Sequence, residues 1–333
     1  MPNTGPEPVG TTPPLEVAVG LVLDAEGRVL VSRRLAGRHL AGYWEFPGGK
    51  IDAGESAFAG LVRELHEELG IVVRAGVQCL TVRHDFAECS VALRVFRVTD
   101  WSGEVHGREG QEWAWRDPAT LDPADFPAAN HPMFQALVLP QRYLITPSPA
   151  VRAEIPAVVE QVQAALVDMD GAMLQVRAPS LGRADYRALV EPLHRFARAR
   201  GVPLLANAPW EWVADLSGIG WHLPERRWRA LDERPPVSGL VAASVHGAEG
   251  LAAAARLGLD FAVLSPVCST ASHPGVPGMG WVQFAAWVRE AGVPVYALGG
   301  MRASDLDQAR TCGAQGIAAI RGLLGMEAGE AAV

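Results

Sequence analysis

Between Gly49 and Ile71 four glutamates and one arginine recur at spacings that put charge on one side of a helix. The order is Gly49, Glu55, Arg63-Glu64-Leu65, Glu67-Glu68 and Gly70-Ile71. Phe58, Leu61, Leu65 and Leu69 repeat with helical period in the same stretch, Ser56 is placed to cap its start, and Gly70 to end it. On such a helix Glu64, Glu67 and Glu68 lie at i, i+3 and i+4, so their carboxylates leave one face. Three like charges that close repel one another unless a cation sits among them. Hard oxygen donors of this kind suit magnesium, or manganese, shared with the phosphates of a substrate.

The elements that must present this helix read as strands and turns. Leu15 to Leu23 and Val29 to Arg33 form a hairpin across Asp24-Ala25-Glu26-Gly27, followed by a basic loop from Arg34 to Tyr43 and a Pro-Gly-Gly turn within Trp44 to Gly49. Beyond the helix, strands are expected at Val72-Val73, Cys79 to Arg83, Ser90 to Val98 and Trp113 to Arg116, with a closing helix from Met133 to Leu139. Strands with two helices in this span fit an α/β/α sandwich.

The fixed positions of the helix, filled in register, resemble the Nudix box, and four places narrow the resemblance to the MutT type of Nudix hydrolase. These are Ser32-Arg33-Arg34 with His39; Glu45-Phe46-Pro47-Gly48-Gly49-Lys50; Trp101-Ser102-Gly103-Glu104 with Gly107-Arg108-Glu109-Gly110-Gln111-Glu112-Trp113; and Asp125-Phe126-Pro127-Ala128-Ala129-Asn130. The resemblance runs from Leu15 to Leu139. It implies a metal-dependent hydrolase that cuts 8-oxo-dGTP to 8-oxo-dGMP and pyrophosphate, sanitising the nucleotide pool and avoiding mutation. It further implies that Glu64, Glu67, Glu68, Glu109 and the Gly48 carbonyl hold magnesium and that Arg63 orients the glutamates. Arg34, His39, Lys50 and the backbone from Glu45 through Phe46 and Pro47 to Gly48 would then face the nucleotide, and Asn130 would read the oxidised guanine. Taken alone, Arg34 and His39 have a second reading as solvated loop residues, and Asn130 one as a helix cap before Pro132.

A chain of 333 residues exceeds what one core usually serves. Residues 1–14 are rich in Pro, Gly and Thr and read as a disordered lead-in, and a composition shift near Leu139 to Ala150 separates 15–139 as the first domain from 140–333 as the second. In the second, strands at Tyr143–Thr146, Ala172–Arg177, Leu204–Asn207, Gly220–Leu223, Leu240–Ser244, Phe261–Ser265, Val295–Leu298 and Gly316–Ile320 alternate with helices such as Arg183–Arg200, Ala248–Arg256, Trp281–Glu290 and Ser304–Thr311. Eight such units predict a compact (β/α)8 TIM barrel whose working residues sit at the C-terminal ends of its strands.

This half resembles thiamine-phosphate synthase through Gln175-Val176-Arg177, Leu205-Ala206-Asn207, Trp221-His222-Leu223, Ala243-Ser244-Val245-His246, Ser265-Pro266-Val267 with Thr270 and Ser272, and Ala297-Leu298-Gly299-Gly300-Met301. The resemblance implies a ligand site of Gln175, Arg177, Asn207, Ser244, Thr270 and Gly300, and a thiamine-pathway phosphate as partner. It departs at the chemistry: the family's lysine is Pro179 here, its two magnesium aspartates are Ala208 and the Arg226-Arg227 pair, and a phosphate lysine is His273. That weakens synthase activity and leaves two uses open, a phosphate-ligand-binding module or a modified reaction in which His222, His246 or His273 moves protons. For the hydrolase, a thiamine-related pyrophosphate is the alternative substrate.

Composition bounds the rest. Hydrophobic residues make up 49% and charged residues 20%, an ordinary globular balance. A net charge of −8 argues against direct DNA binding. Cys79, Cys89, Cys268 and Cys312 lack paired spacing and read as thiols in a reducing cytoplasm. The first residues carry no signal-peptide pattern, and no apolar run is long enough to cross a membrane.

Overall fold

The computed structural model describes residues 13–37, 40–86, 89–269 and 277–326. His39, Thr270, Ser272 and His273 therefore lie outside the described residues. In the first domain β1 (Leu15–Leu21), β2 (Val29–Arg33), β3 (Trp44–Glu45) and β4 (Gly48–Lys50) precede α1 (Ala57–Leu69). There follow β5 (Val72–Asp85), β6 (Ser90–Ser102), β7 (Trp113–Arg116) and α2 (His131–Val138). One sheet runs β4-β1-β6-β5, with β1 parallel to β6 and the other pairs antiparallel; a second runs β3-β2-β7. Alternation along β1 sends Ala18 to the core under α1 and Val19 to the core under α2, so the strands are sandwiched between the helices.

Helix α1 forms where its residue types predict. Ser56 accepts the Ala59 amide at 3.2 Å, and Gly70 closes the helix at φ 73°, donating to the His66 carbonyl. Leu61, Leu65 and Leu69 are buried, each contributing about 1.5–3 kcal/mol of apolar transfer. A Cβ on Gly20 would stand 3.3 Å from the Leu61 and Leu65 methyls, which shows how closely the helix crosses β1.

One expectation is corrected. Val72-Val73 and Cys79 to Arg83 are not separate strands but parts of the 14-residue β5. Register shifts at Val73/Ala75, Ala75/Gly76 and Gln78/Leu80 carry the strand through Arg74-Ala75-Gly76, because long pairing with β6 supplies backbone bonds that a weak local β-propensity does not announce.

In the second domain β8 (Arg142–Ile145), α3 (Ile155–Val167), β9 (Ala172–Arg177), α4 (Arg183–Ala199), β10 (Leu204–Asn207) and β11 (Gly220–Leu223) lead to α5 (Glu225–Trp228). Then come β12 (Val241–Val245), α6 (Ala248–Arg256), β13 (Phe261–Leu264), α7 (Gly280–Arg289), β14 (Val295–Leu298), α8 (Leu306–Thr311) and β15 (Gly316–Ala319). The eight strands are all parallel and close on themselves through β15 and β8. Every predicted strand is present, with ends moved by a residue or so. Inside the barrel Phe261 meets Tyr143 and Tyr296 edge-on, with centroids 5.4 and 5.1 Å apart, and the two tyrosines lie tilted at 5.8 Å, so the interior is packed rather than open.

Strands β5 and β6 and helix α2 bring the first domain against the barrel. Thr81 donates its amide to the Ala291 carbonyl at 2.8 Å and its hydroxyl to the Arg289 carbonyl at 2.5 Å. Arg83 and Arg94 both pair with Glu290, at 2.7 and 2.5 Å, and Gln135 reaches Asp260 at 3.2 Å. Buried Arg97 donates to the Ala314 carbonyl and to Gln315 Oε1. Asp260, Arg289 to Ala291, and Ala314-Gln315 immediately precede β13, β14 and β15, so the docking face is the N-terminal end of the barrel. Among the described residues no helix is long and apolar enough to cross a membrane.

Candidate active site

Arg63 organises the glutamates. Its guanidinium donates to Glu55 through Nε at 3.2 Å and Nη2 at 3.0 Å, to Glu64 at 2.8 Å, to Glu67 at 3.5 Å and to the Lys50 carbonyl at 2.9 Å. The hydrogen bonds to Glu55 first and Glu64 second raise its pKa, keeping it charged throughout the ordinary pH range. In return Arg63, with help from the Asp52 amide, holds the Glu55 carboxyl below its usual range. The arginine thus ties the strand β4, the turn after it and the helix face into one charge cluster.

Strand β4 comes close to that cluster. A Cβ on Gly49 would fall 2.1 Å from Glu64 Cδ, so the carboxylate lies directly on the glycine backbone. At Gly48, φ 155° and an approach of 2.0 Å to the Ala18 carbonyl likewise leave no room for a side chain. Hard carboxylate oxygens beside half-buried glycine backbone fit a divalent cation in donor chemistry. Among the described residues, however, no group of three or more His, Cys, Asp or Glu side chains converges to hold one. Glu64 is drawn to Arg63, and Glu67 extends into solvent.

Glu109 is brought to this helix by its loop. The His106 amide donates to the Leu69 carbonyl and the Arg108 amide to the Glu68 carbonyl, both at 2.9 Å. Arg108 Nη1 reaches the His66 carbonyl at 2.9 Å, and Gln111 Nε2 the Glu68 carbonyl at 3.0 Å. At Glu68 and Leu69 the loop thereby satisfies carbonyls that the last turn of a helix leaves without partners. Reading the loop for carboxylates finds Glu109 but passes over Arg108 and Gln111, since no spacing signal marks a side chain aimed at a helix end.

The remaining predicted residues fall around β3 and α2. Arg34 is ion-paired with Glu45 across the β2–β3 pair. The Phe46 ring is buried against Phe126 and Phe134, with centroids 5.4 and 5.6 Å away, so it acts as core. The Pro47 carbonyl accepts the Gly20 amide at 2.8 Å, while the Lys50 side chain is exposed. Asn130 occupies the cap position of α2 but makes no side-chain cap; it is 8% exposed, beside the Phe126–Phe134 cluster. Its amide is therefore not spent on capping.

In the barrel, Gln175, Arg177, Asn207 and Ser244 lie on the C-terminal halves of β9, β10 and β12, and Gly300 follows β14. Asn207 donates to Gln175 at 3.2 Å. His222 is buried between the Tyr143 hydroxyl, 3.1 Å from Nδ1, and the Ser244 hydroxyl, 2.8 Å from Nε2. Burial first, and the charge of Arg177 second, lower its pKa to about 3, so it is neutral in ordinary conditions. His246 bonds the Ser265 carbonyl through Nδ1 at 2.9 Å. Ala208 is buried, and Arg227 lies over the Trp221 ring, so the described residues place no carboxylate at the two positions where the family resemblance expects metal ligands.

Comparison with known proteins agrees with both halves. A family model described as NUDIX domain matches residues 18–136, and one described as thiamine monophosphate synthase matches residues 142–323. The 8-oxo-dGTP diphosphatase of Escherichia coli is 37% identical over 123 residues, covering 37% of this chain and 95% of that protein. The thiamine-phosphate synthase of Thermus thermophilus is 30% identical over 183 residues, covering 54% of this chain and 87% of that protein. A solved MutT structure, from work on the proteins of Aliivibrio salmonicida and Vibrio cholerae, is 34% identical, covers 38% of this chain and 97% of that one, and gives a TM-score of 0.31. The chain therefore belongs to the Nudix hydrolases through its first domain and to the thiamine monophosphate synthase family through its barrel.

Proposed function

We propose that the first domain hydrolyses 8-oxo-dGTP to 8-oxo-dGMP and pyrophosphate with magnesium, and so removes oxidised guanine nucleotides before they enter DNA. The observation that carries this is the joining of two carboxylate-bearing segments, α1 and the Glu109 loop, in a chain so similar to an 8-oxo-dGTP diphosphatase. Glu64, Glu67, Glu68, Glu109 and the Gly48 carbonyl would hold the metal. Bound there, magnesium would supply positive charge to offset that of the phosphates and ease deprotonation of a water. A carboxylate accepts the proton as the water oxygen bonds to phosphorus and the P–O bond to the leaving group breaks. Arg63 keeps the glutamates in place. Arg34, His39, Lys50 and the turn from Glu45 to Gly48 face the nucleotide, and Asn130, buried with an uncapping amide, offers a donor and an acceptor to the base. Phe46 contributes only its backbone.

The barrel reads best as a phosphate-ligand-binding module built on Gln175, Arg177, Asn207, Ser244, Thr270 and Gly300. What supports this over synthase chemistry is the replacement of the metal aspartates by Ala208 and an arginine pair.

Rates on 8-oxo-dGTP, dGTP, ADP-ribose and thiamine diphosphate, measured with the full chain, test the hydrolase reading. The oxidised nucleotide is expected to be turned over fastest, and Glu68→Gln to keep the fold while losing nearly all activity. Equal rates on dGTP and 8-oxo-dGTP would remove the sanitising role; fastest turnover of thiamine diphosphate would favour the alternative substrate.

A further inference from the structure

We propose that Gln111 is a positioning residue for the hydrolysis, a buried clasp that fixes the backbone of Glu109 to the backbone of Glu68. The inference rests on the reading that these two glutamates serve the reaction. Gln111 is 8% exposed, and its single amide group is used at both ends. Nε2 donates to the Glu68 carbonyl at 3.0 Å, and Oε1 accepts the Glu109 amide at 3.0 Å. One side chain therefore bridges the main chains of two residues whose carboxylates must act together although they come from a helix and a loop.

The surroundings are shaped to hold that bridge. The turn is closed by the Gly110 amide on the Gly107 carbonyl at 3.0 Å, with Gly110 at φ 84°. Gly107 can carry no side chain, because a Cβ there would fall 2.2 Å from the Gln111 carbonyl. Arg108 adds a second strap, its amide on the Glu68 carbonyl and its guanidinium on that of His66. A cation at a helix C-terminus is favoured by the helix dipole as well. The Glu109 side chain itself is exposed, and its carboxylate is carried on the backbone that Gln111 holds. A preorganised backbone removes the entropy of searching for the productive placement at each turnover.

Gln111→Met keeps the length of the side chain and removes both hydrogen bonds. It is expected to lower kcat about 10- to 100-fold, the range found when supporting groups around a site are lost, while leaving KM for the nucleotide nearly unchanged. In a Glu109→Gln background the same change should cost almost nothing further, because Gln111 acts through Glu109. In the metal-free protein, hydrogen exchange at the Glu109 amide should accelerate while α1 stays protected. Gln111→Glu serves as the second variant if Gln111→Met does not fold; it keeps the acceptor for Glu109 and loses the donor to Glu68, so an intermediate loss of kcat is expected. Unchanged kcat with unchanged Glu109 exchange, or full multiplication of the two penalties in the double variant, would overturn the clasp. A wild-type chain that hydrolyses no nucleotide would overturn both this role and the function it rests on, whereas an active wild type with an unimpaired Gln111→Met would overturn this role alone.

Discussion

At the scale of single residues, the site depends on what is missing as much as on what is present. Glu64 rests on the backbone of Gly49 because there is no Cβ to keep it away. Gly49→Ala would force that carboxylate off the strand and loosen its bond to Arg63. Overpacking of this kind costs about 1–3 kcal/mol. The expected result is a clear fall in melting temperature together with a loss of activity at saturating magnesium. Normal activity would mean that Glu64 need not lie against β4. The family resemblance implied that Arg63 orients the glutamates, without saying which of them it touches. Glu55, which takes two of its hydrogen bonds, sits across a turn and before the helix, and only the folded geometry brings it to the guanidinium.

At the scale of elements, α1 and the loop ending in Gln111 form one unit, since the loop supplies donors to the helix's last carbonyls. In the barrel the corresponding interior unit is Tyr143–His222–Ser244, spanning β8, β11 and β12. The His222 pKa is depressed from 6.5 to about 3. The unfolded chain therefore binds a proton more readily than the folded one. Stability tied to His222 is fully present above its unfolded pKa and is lost as pH falls from about 6.5 toward 3. Thermal unfolding of the full chain between pH 7 and pH 5 should show this decline, and His222→Gln should flatten it. An unaltered pH dependence in that variant would show that the histidine is not buried neutral. The sequence offered His222 both as an acid/base candidate and as a structural barrel histidine; its burial with both ring nitrogens engaged supports the second reading.

At the scale of the whole molecule, the first domain covers the N-terminal end of the barrel, which leaves the C-terminal ends of β9, β10 and β12 at the far pole. Arg97 and Arg310 are central to the docked face. Arg97 is buried on carbonyl and amide oxygens, and Arg310 has its pKa lowered to about 10 by burial first and by the charge of Arg97 second. Glu290 faces Arg83 and Arg94; burial raises its pKa, but the two arginines outweigh it and hold the carboxyl below its usual range. Arg97→Ala leaves buried acceptors short of a donor, at a cost of about 1–3 kcal/mol. Urea unfolding of the full chain should register that loss, with the two domains beginning to melt apart. An unchanged midpoint would exclude this face as a stabilising interface.

The sequence by itself determined the glutamate helix with its caps, the eight barrel strands and the residue types that could meet a metal and a phosphate. These are set by local periodicity and by short-range side-chain chemistry, which the chain order preserves. Only the tertiary structure decided that β5 runs unbroken, that Phe46 is core, that Asn130 does not cap its helix, and that Gln111 joins Glu68 to Glu109. It also decided which end of the barrel is covered. Each of these depends on partners distant in the chain, such as Gln78 with Arg289 or Arg97 with Gln315, and burial and hydrogen bonding between such partners exist only once the chain has closed on itself.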